Sequence, residues 1–345
     1  MKHYLLHGGE PNLTPFDLNL RLCWSEDAWY ATSSSEWAHF LSLNAKDAIP
    51  FVDILKMMWN PRANALPAEI IPRGSNIVLY GLVSIARELC RRKYDHIPDQ
   101  SGDTLTSLGT TFGRSLNNWE HIWNKIAVPK GLTSNFLWRS CSCIIHLART
   151  LYEISPVDLQ TVAGKDIIEG KRRGAADYAK SRRKISRWAK QDRALVGVSG
   201  WCFTQLYVVA RSLEANRHLA AAKVIQDRLH NKSSAIHCNH CLWCCYLAAL
   251  ICWNFGFAVA KVNPPQDLVR NGHLVSLSEC EEDCTRYLES AVKLGSSRLG
   301  DEDGSIINKT SGMLIMVIRF LTDRSGTGMI MDSIELLTRL VGLST

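Results

Sequence analysis

The sequence predicts an all-α protein, arranged as a large irregular helical bundle or array. Apolar residues recur at spacings of three and four along most of the chain, and candidate helix starts and stops punctuate these runs. No stretch alternates apolar and polar residues as a half-buried strand would. The composition, 46% hydrophobic and 21% charged over 345 residues, is that of a chain with a substantial core. No low-complexity linker divides it, so we predict a single helical domain over residues 1–345.

The first predicted helices follow an irregular lead-in at residues 1–20, where glycine and proline break any regular period. Within LCWSEDAWYATSSSEWAHFLSL, Ser25 and Ser33 are N-cap candidates for two short helices. Ser33 and Glu36 also match a capping box, in which each side chain bonds to the other residue's backbone N–H. The apolar stripe expected to follow this box is Trp37, Phe40 and Leu41.

The next helices are predicted to supply the central core. Residues 50–60 begin with a helix-initiating proline, and IVLYGLVSIARELCRRKYD is apolar at its start and basic at its end. In the helix after that, Leu116, Trp119 and Trp123 fall on one face. The apolar face of residues 50–60 comprises Phe51, Ile54, Leu55 and Met58.

The remaining helices are predicted from the same recurrence of apolar residues at spacings of three and four. FLWRSCSCIIHLARTLYEI reaches to Pro156, and VDLQTVAG adds a short helical turn. Further helices are predicted in WCFTQLYVVARSLEANRHLAAAKVIQDRLH, EEDCTRYLESAVKLG, MLIMVIRFLTD and MIMDSIELLTRLVGL. The tryptophans predicted to anchor the core are Trp29, Trp37, Trp119, Trp123 and Trp253.

Positive charge is concentrated in one basic segment, residues 165–193. It holds eleven Lys or Arg and four acids, so 11 − 4 = +7, which equals the formal charge of the whole chain. The middle of the segment is predicted to be flexible. Its clusters resemble a bipartite nuclear import signal, but they could equally neutralise phosphates or form a solvated helix face. The import or phosphate-contact candidates are Lys171, Arg172, Arg173, Lys180, Arg182, Arg183 and Lys184.

The cysteine-rich stretch AIHCNHCLWCCYLAALICWNFGFAVA, residues 235–260, allows three interpretations. Residues 241–260 are long enough to span a bilayer, with Asn254 as the strongly polar group. A metal could be held by His237, Cys241 and Cys244 or Cys245 on one helical face, although a single helix supplies no fourth ligand. Small thiols are also common packing groups, and thiols of a chain that is not secreted stay reduced. We therefore favour a buried packing helix.

The sequence resembles a known regulatory domain along residues 20–260. LCWSEDAWYATSSSEW is similar to the opening of the fungal-specific transcription factor regulatory domain, the middle homology region of the xylanolytic activator type. The resemblance is to the branch usually coupled to two-Cys two-His zinc fingers. Further matches, in order, are IVLYGLVSIAREL, LNNWEHIW, HLAAAKVI and LAALICWNFGF. The matching residues of the opening are Cys23, Glu26, Asp27, Trp29, Ala31, Ser35, Glu36 and Trp37.

This resemblance implies a nuclear, helical regulatory module of an RNA polymerase II transcription factor. Its expected partners are proteins of the transcription machinery or regulatory proteins, and a second copy of the chain is a further candidate. No Cys and His spacing in the sequence matches the zinc finger; Cys280-x3-Cys284, for example, has no suitable His after it. We therefore expect zinc only in a DNA-binding domain upstream of this chain. We also expect no cofactor within the chain, and contact with DNA that is indirect or weak.

No catalytic constellation is visible, and we predict that the protein is not an enzyme. The nucleophile elbow, the metalloprotease helix motif and the P-loop are each missing from the sequence. The alternative from a different class is a membrane-anchored helical protein that uses residues 241–260.

Overall fold

The computed structural model describes residues 15–18, 31–44, 49–60, 72–95, 102–127, 136–168, 170–191, 239–260, 277–296, 310–322 and 328–344. Within these ranges it contains eleven helices and one sheet of two very short strands, which confirms the all-α class. The described chain divides between Ser155 and Pro156 into two compact units. The prediction of a single domain over residues 1–345 stays a prediction.

The first unit contains five helices: α1 (Ser34–Asn44), α2 (Phe51–Trp59), α3 (Pro72–Asp95), α4 (Gly102–Ala127) and α5 (Phe136–Glu153). Helices α2 to α5 pack around one core in which α3 contacts the other three. The predicted face of α2 is confirmed, since its four apolar residues are all buried. In α4, Trp119 and Trp123 are also buried, and their rings stack with centroids 5.4 Å apart.

Helix α1 keeps only part of its predicted capping and packing. The Glu36 backbone N–H donates to Ser33 Oγ over 3.2 Å, as an N-cap should. The Glu36 carboxylate, however, accepts from the N–H and hydroxyl of Thr32 rather than from the Ser33 N–H, and these bonds lower its pKa. Trp37 is 51% exposed, so its predicted role as a core anchor is wrong. Ser25 and Trp29 lie outside the described residues.

The second unit contains α6 (Pro156–Val162), β1 (Ile167–Ile168), β2 (Lys171–Arg172), α7 (Ala175–Gln191), α8 (Asn239–Ala260), α9 (Leu277–Ser296), α10 (Ser311–Thr322) and α11 (Gly328–Ser344). Helix α8 contacts α6, α7 and α10, while α10 also packs against α9 and α11. The residues of α8 are buried almost without interruption from Leu242 to Gly256. This burial confirms the packing-helix interpretation of the cysteine-rich stretch.

The side-chain amide nitrogen of Asn254 in α8 is bound within the protein. Asn254 is fully buried, and its side-chain amide donates to the carbonyl of Leu250 over 2.8 Å and to that of Leu159 in α6 over 3.3 Å. Burial raises the pKa of the Cys252 thiol to about 12. None of the described helices combines the length and hydropathy that a bilayer crossing requires. The membrane-anchored alternative at residues 241–260 is therefore not favoured.

Candidate functional site

The basic segment forms ordered structure where a flexible middle was expected. Strands β1 and β2 pair antiparallel, with Ile168 opposite Lys171. Gly170 in the turn between them has a φ of +69°, a left-handed conformation that glycine adopts more readily than other residues. Ile168 is buried and thereby attaches this hairpin to the core. Helix α7 follows directly. Regular structure is possible here because a few apolar residues among the charges fall at positions that face inward.

The inner face of α7 consists of Ser181, Ile185, Trp188 and Ala189, all of which are buried. These residues recur at spacings of three and four, so they form one stripe along the helix. The stripe packs toward α6 and α8, and the Trp188 ring meets the Phe255 ring edge-on with centroids 6.0 Å apart. The rest of the helix surface carries mostly polar and charged side chains, together with Ala175, Ala176 and Ala179.

Asp158 of α6 binds two side chains on the buried side of α7. Its carboxylate accepts a hydrogen bond of 2.6 Å from Ser181 Oγ, and its second oxygen lies 3.2 Å from Lys184 Nζ. The side chains of Lys184 and Asp158 are only 19% and 10% exposed. Lys184, one of the predicted contact residues, is therefore held in an internal ion pair.

Other cations of the segment also have contacts within the protein. The Arg182 guanidinium lies over the Phe257 ring of α8, 5.5 Å from its centroid, a cation–π arrangement. Arg173 is half-buried, and its backbone N–H donates to the Asp166 carbonyl over 2.8 Å. Lys165 reaches to within 4.0 Å of Asp332 in α11, and its burial lowers its pKa. The Arg182 and Lys165 side chains thus contact other elements of the second unit, whereas the contact of Arg173 described here is made by its backbone.

The outer face of α7 carries a continuous line of exposed cations. Lys180, Arg183, Arg187 and Lys190 stand at i, i+3, i+7 and i+10, which places them along one side of the helix over about 15 Å. We call these four residues the basic ridge. Within the described chain none of them forms an ion pair. Arg183 Nε donates only to a carbonyl of its own helix, that of Ala179.

The electrostatics of α7 are strongly one-sided. The helix has six Lys or Arg and one acid, so 6 − 1 = +5. The acid, Asp177, accepts the Gly174 backbone N–H over 3.0 Å and thus caps the helix start. Lys171 and Arg172 of β2 are exposed as well. The arrangement can attract anions, and it presents no nucleophile or general base.

The structure regroups the predicted contact residues. Lys184 and Arg173 are partly buried, and Arg182 is exposed but lies over the Phe257 ring. The other four candidates are exposed: Lys171, Arg172, Lys180 and Arg183. Arg187 and Lys190 belong to the ridge although they lie outside both predicted clusters. Reading the charges of the segment at the helical period would have found them, whereas counting adjacent charges did not.

The metal candidates remain untested. His237 lies outside the described residues, as does the side chain of Cys241, while Cys244 and Cys245 are buried in α8 and form no disulfide. Among the side chains that the structure describes, no three of His, Cys, Asp or Glu are placed to share a metal ion. The set stays a prediction.

Comparisons with known proteins connect the chain to fungal regulators. No family model and no solved structure matches it. It is 25% identical over 350 residues to zinc finger protein klf1 of Schizosaccharomyces pombe, which covers 99% of this chain and 40% of that protein. It is 26% identical over 283 residues to the nicotinate catabolism cluster-specific transcription factor of Emericella nidulans, covering 77% of this chain and 30% of that protein. The chain is thus similar to fungal transcription factors over most of its own length, and it spans less than half of theirs.

Proposed function

We propose that this chain is the regulatory part of a fungal RNA polymerase II transcription factor and acts in the nucleus through protein contacts. The observation that supports this most directly is the similarity to klf1, which extends over 99% of the chain. The finer assignment, a middle homology region of the xylanolytic activator type, rests on the order of the sequence motifs. The helical architecture is compatible with it.

The proposed mode of action is binding without catalysis. The partners would be transcription-machinery or regulatory proteins, or a second copy of the chain, and no cofactor is assigned to it. We propose that zinc and sequence-specific DNA recognition belong to a domain outside this chain; the name of one relative, a zinc finger protein, supports this proposal. Contact of this chain with DNA would then add to that recognition without specifying sequence.

A tethering experiment tests the proposal. The chain is fused to an unrelated DNA-binding domain in a fungal cell, and transcription is measured from a reporter that carries the matching sites. We expect the fusion to change reporter output several-fold relative to the DNA-binding domain alone. Trp119→Ala should abolish the change, because losing a large buried side chain costs about 3–5 kcal/mol and Trp119 is only 2% exposed.

The matched control is the same substitution at an exposed position, Trp37→Ala, which should leave protein level and reporter output close to those of the parent fusion. Immunoblots establish that the fusions are equally abundant. Output identical to that of the DNA-binding domain alone, from a parent fusion that is present at normal abundance, contradicts the proposed function.

A further inference from the structure

We infer that the basic ridge of α7, formed by Lys180, Arg183, Arg187 and Lys190, is a docking surface for the phosphate backbone of duplex DNA. This inference deepens the proposed function, on which it rests, because it names the residues through which the chain would contact DNA without reading its sequence. It rests on which cations are exposed, on what lies between them and on how firmly the helix is held.

The ridge side chains are available to a ligand, in contrast to the neighbouring cations. All four are exposed and have no carboxylate partner in the described chain, whereas Lys184 is paired with Asp158. Among the described residues no acidic side chain compensates the ridge, so we expect solvent ions to gather there in the absence of a bound partner. Release of those ions is the driving force for binding polyphosphates.

The ridge is presented on a fixed backbone. Ser181 and Trp188, which alternate with the ridge residues along α7, are buried on its opposite face. The hydrogen bond from Ser181 to Asp158 and the packing of Trp188 on Phe255 hold the helix in place. A backbone that is ordered before binding loses little conformational entropy on association, so weak individual contacts can add up.

The composition of this face favours a polyanion over a protein. The exposed apolar residues of α7 are Ala175, Ala176 and Ala179, and the helix exposes no aromatic or large aliphatic side chain. Protein interfaces derive most of their binding energy from buried aromatic and arginine anchors within an apolar patch. Duplex DNA carries one negative charge per about 1.7 Å of axis, so about nine phosphate charges lie along the roughly 15 Å that the four cations span.

Duplex DNA is favoured over a single strand because the ridge has no stacking platform. Proteins that bind single strands stack the bases on exposed aromatic rings. The aromatic residues of α7 are Tyr178, which is half-buried, and Trp188, which is 3% exposed. Contacts limited to phosphates position a protein on DNA without reading its sequence.

The test is the salt dependence of binding by the purified chain. Fluorescence anisotropy of a labelled 20-base-pair duplex is measured at several salt concentrations between about 50 and 200 mM. Four phosphate contacts predict a slope of log K against log salt of about −3.6, or about a 150-fold loss of affinity across this range. The variant Lys180→Gln, Arg183→Gln, Arg187→Gln, Lys190→Gln should lose nearly all of this dependence, and Arg187→Gln alone should reduce the slope by about 0.9.

The matched control removes four exposed cations elsewhere and thus the same net charge: Arg114→Gln, Lys125→Gln, Arg286→Gln and Arg319→Gln. It should keep the parental slope. Circular dichroism establishes that each variant is folded, and the single Arg187→Gln variant decides the question should the fourfold variant not fold.

Three results would overturn the inference. The first is a parent chain that does not bind the duplex at low salt, and the second is a control variant that loses as much of the salt dependence as the ridge variant. The third is that poly-glutamate or single-stranded DNA binds more tightly than the duplex. All of these measurements are independent of transcriptional output.

Discussion

At the scale of single residues, Asp158 holds one cation of the basic segment, Lys184, in an internal ion pair. Its carboxylate lies 23 residues before Ser181 and 26 before Lys184, and it binds both. Nothing in the sequence around Asp158 indicates this role, because a lone acid in the first turn of a helix is ordinary. The sequence therefore identified the cations of the segment correctly but could not distinguish an internal lysine from an exposed one.

We expect Asp158→Ala to destabilise the second unit by about 3 kcal/mol, because it leaves the Lys184 ammonium without its counter-ion in a site with little access to water. Urea denaturation followed by circular dichroism measures the change. The control is Arg339→Ala, which removes an ion pair whose side chains are 51% and 67% exposed and should cost less than about 1 kcal/mol. The double variant Asp158→Ala, Lys184→Ala should cost less than the two single changes added together. Equal effects of Asp158→Ala and Arg339→Ala would refute the structural role of Asp158.

At the scale of secondary structure, a glycine sets the distance between α9 and α10. A Cβ atom on Gly312 would lie 2.8 Å from the Asp283 Cβ, 2.9 Å from the Cys280 carbonyl oxygen and 3.1 Å from the Cys284 nitrogen. Two of these atoms belong to the backbone and cannot move aside as a flexible side chain would. Gly312 is therefore part of the helix–helix interface.

We expect Gly312→Ala to destabilise the protein by about 1–3 kcal/mol, because the overpacking at this contact outweighs the gain in helix propensity. Gly113→Ala should have the opposite sign and stabilise the protein by about 0.5–1 kcal/mol, since Gly113 lies within α4 and a Cβ there would meet nothing within 4 Å. Thermal and urea unfolding of the two variants, measured side by side, provide the check. A stabilising Gly312→Ala would mean that α9 and α10 are not in close contact.

The elements that local periodicity determines were predicted well, and those that depend on distant partners were not. The buried face of α2 follows from spacing alone, as do the stacked tryptophans of α4. The hairpin was missed because strands of two residues leave no alternation to detect. Trp37 was misassigned because a helical period shows that a face exists but not whether another element covers it. Helix α7 was predicted only as one alternative, a solvated helix face, and its buried side was missed because the inner stripe is small and lies among dense charge.

At the scale of the whole molecule, the chain has two cores, one on each side of the Ser155–Pro156 boundary. The sequence shows no linker at this point, and the helical turn VDLQTVAG was predicted there without a boundary. A division of this kind depends on which helices contact each other, and amphipathic patterns do not specify their partners. The basic ridge belongs to the second unit, so substitutions in the ridge leave the core of the first unit unchanged.

We expect the tagged chain to accumulate in nuclei. The variant Lys171→Gln, Arg172→Gln, Lys180→Gln, Arg182→Gln, Arg183→Gln should shift it to the cytoplasm, because it disrupts both halves of the predicted import signal. Lys184 is left intact so that its pair with Asp158 is kept. Arg187→Gln with Lys190→Gln is the control, since both residues lie on the same helix but outside the clusters. Fluorescence microscopy of living cells measures the distribution. A chain that remains cytoplasmic whether or not the clusters are intact contradicts the import prediction.

The burial of α8 has a practical consequence. Cys244, Cys245 and Cys252 are buried and form no disulfide, and burial raises the pKa of the Cys252 thiol to about 12, so that little thiolate forms there even in mild alkali. Thiolates, not thiols, react with alkylating reagents, so these side chains react only when the helix becomes exposed to solvent. The rate at which these cysteines are alkylated therefore measures how often the second unit opens. The cysteines of the stretch that was considered as a metal site can thus be used to follow the local unfolding of α8.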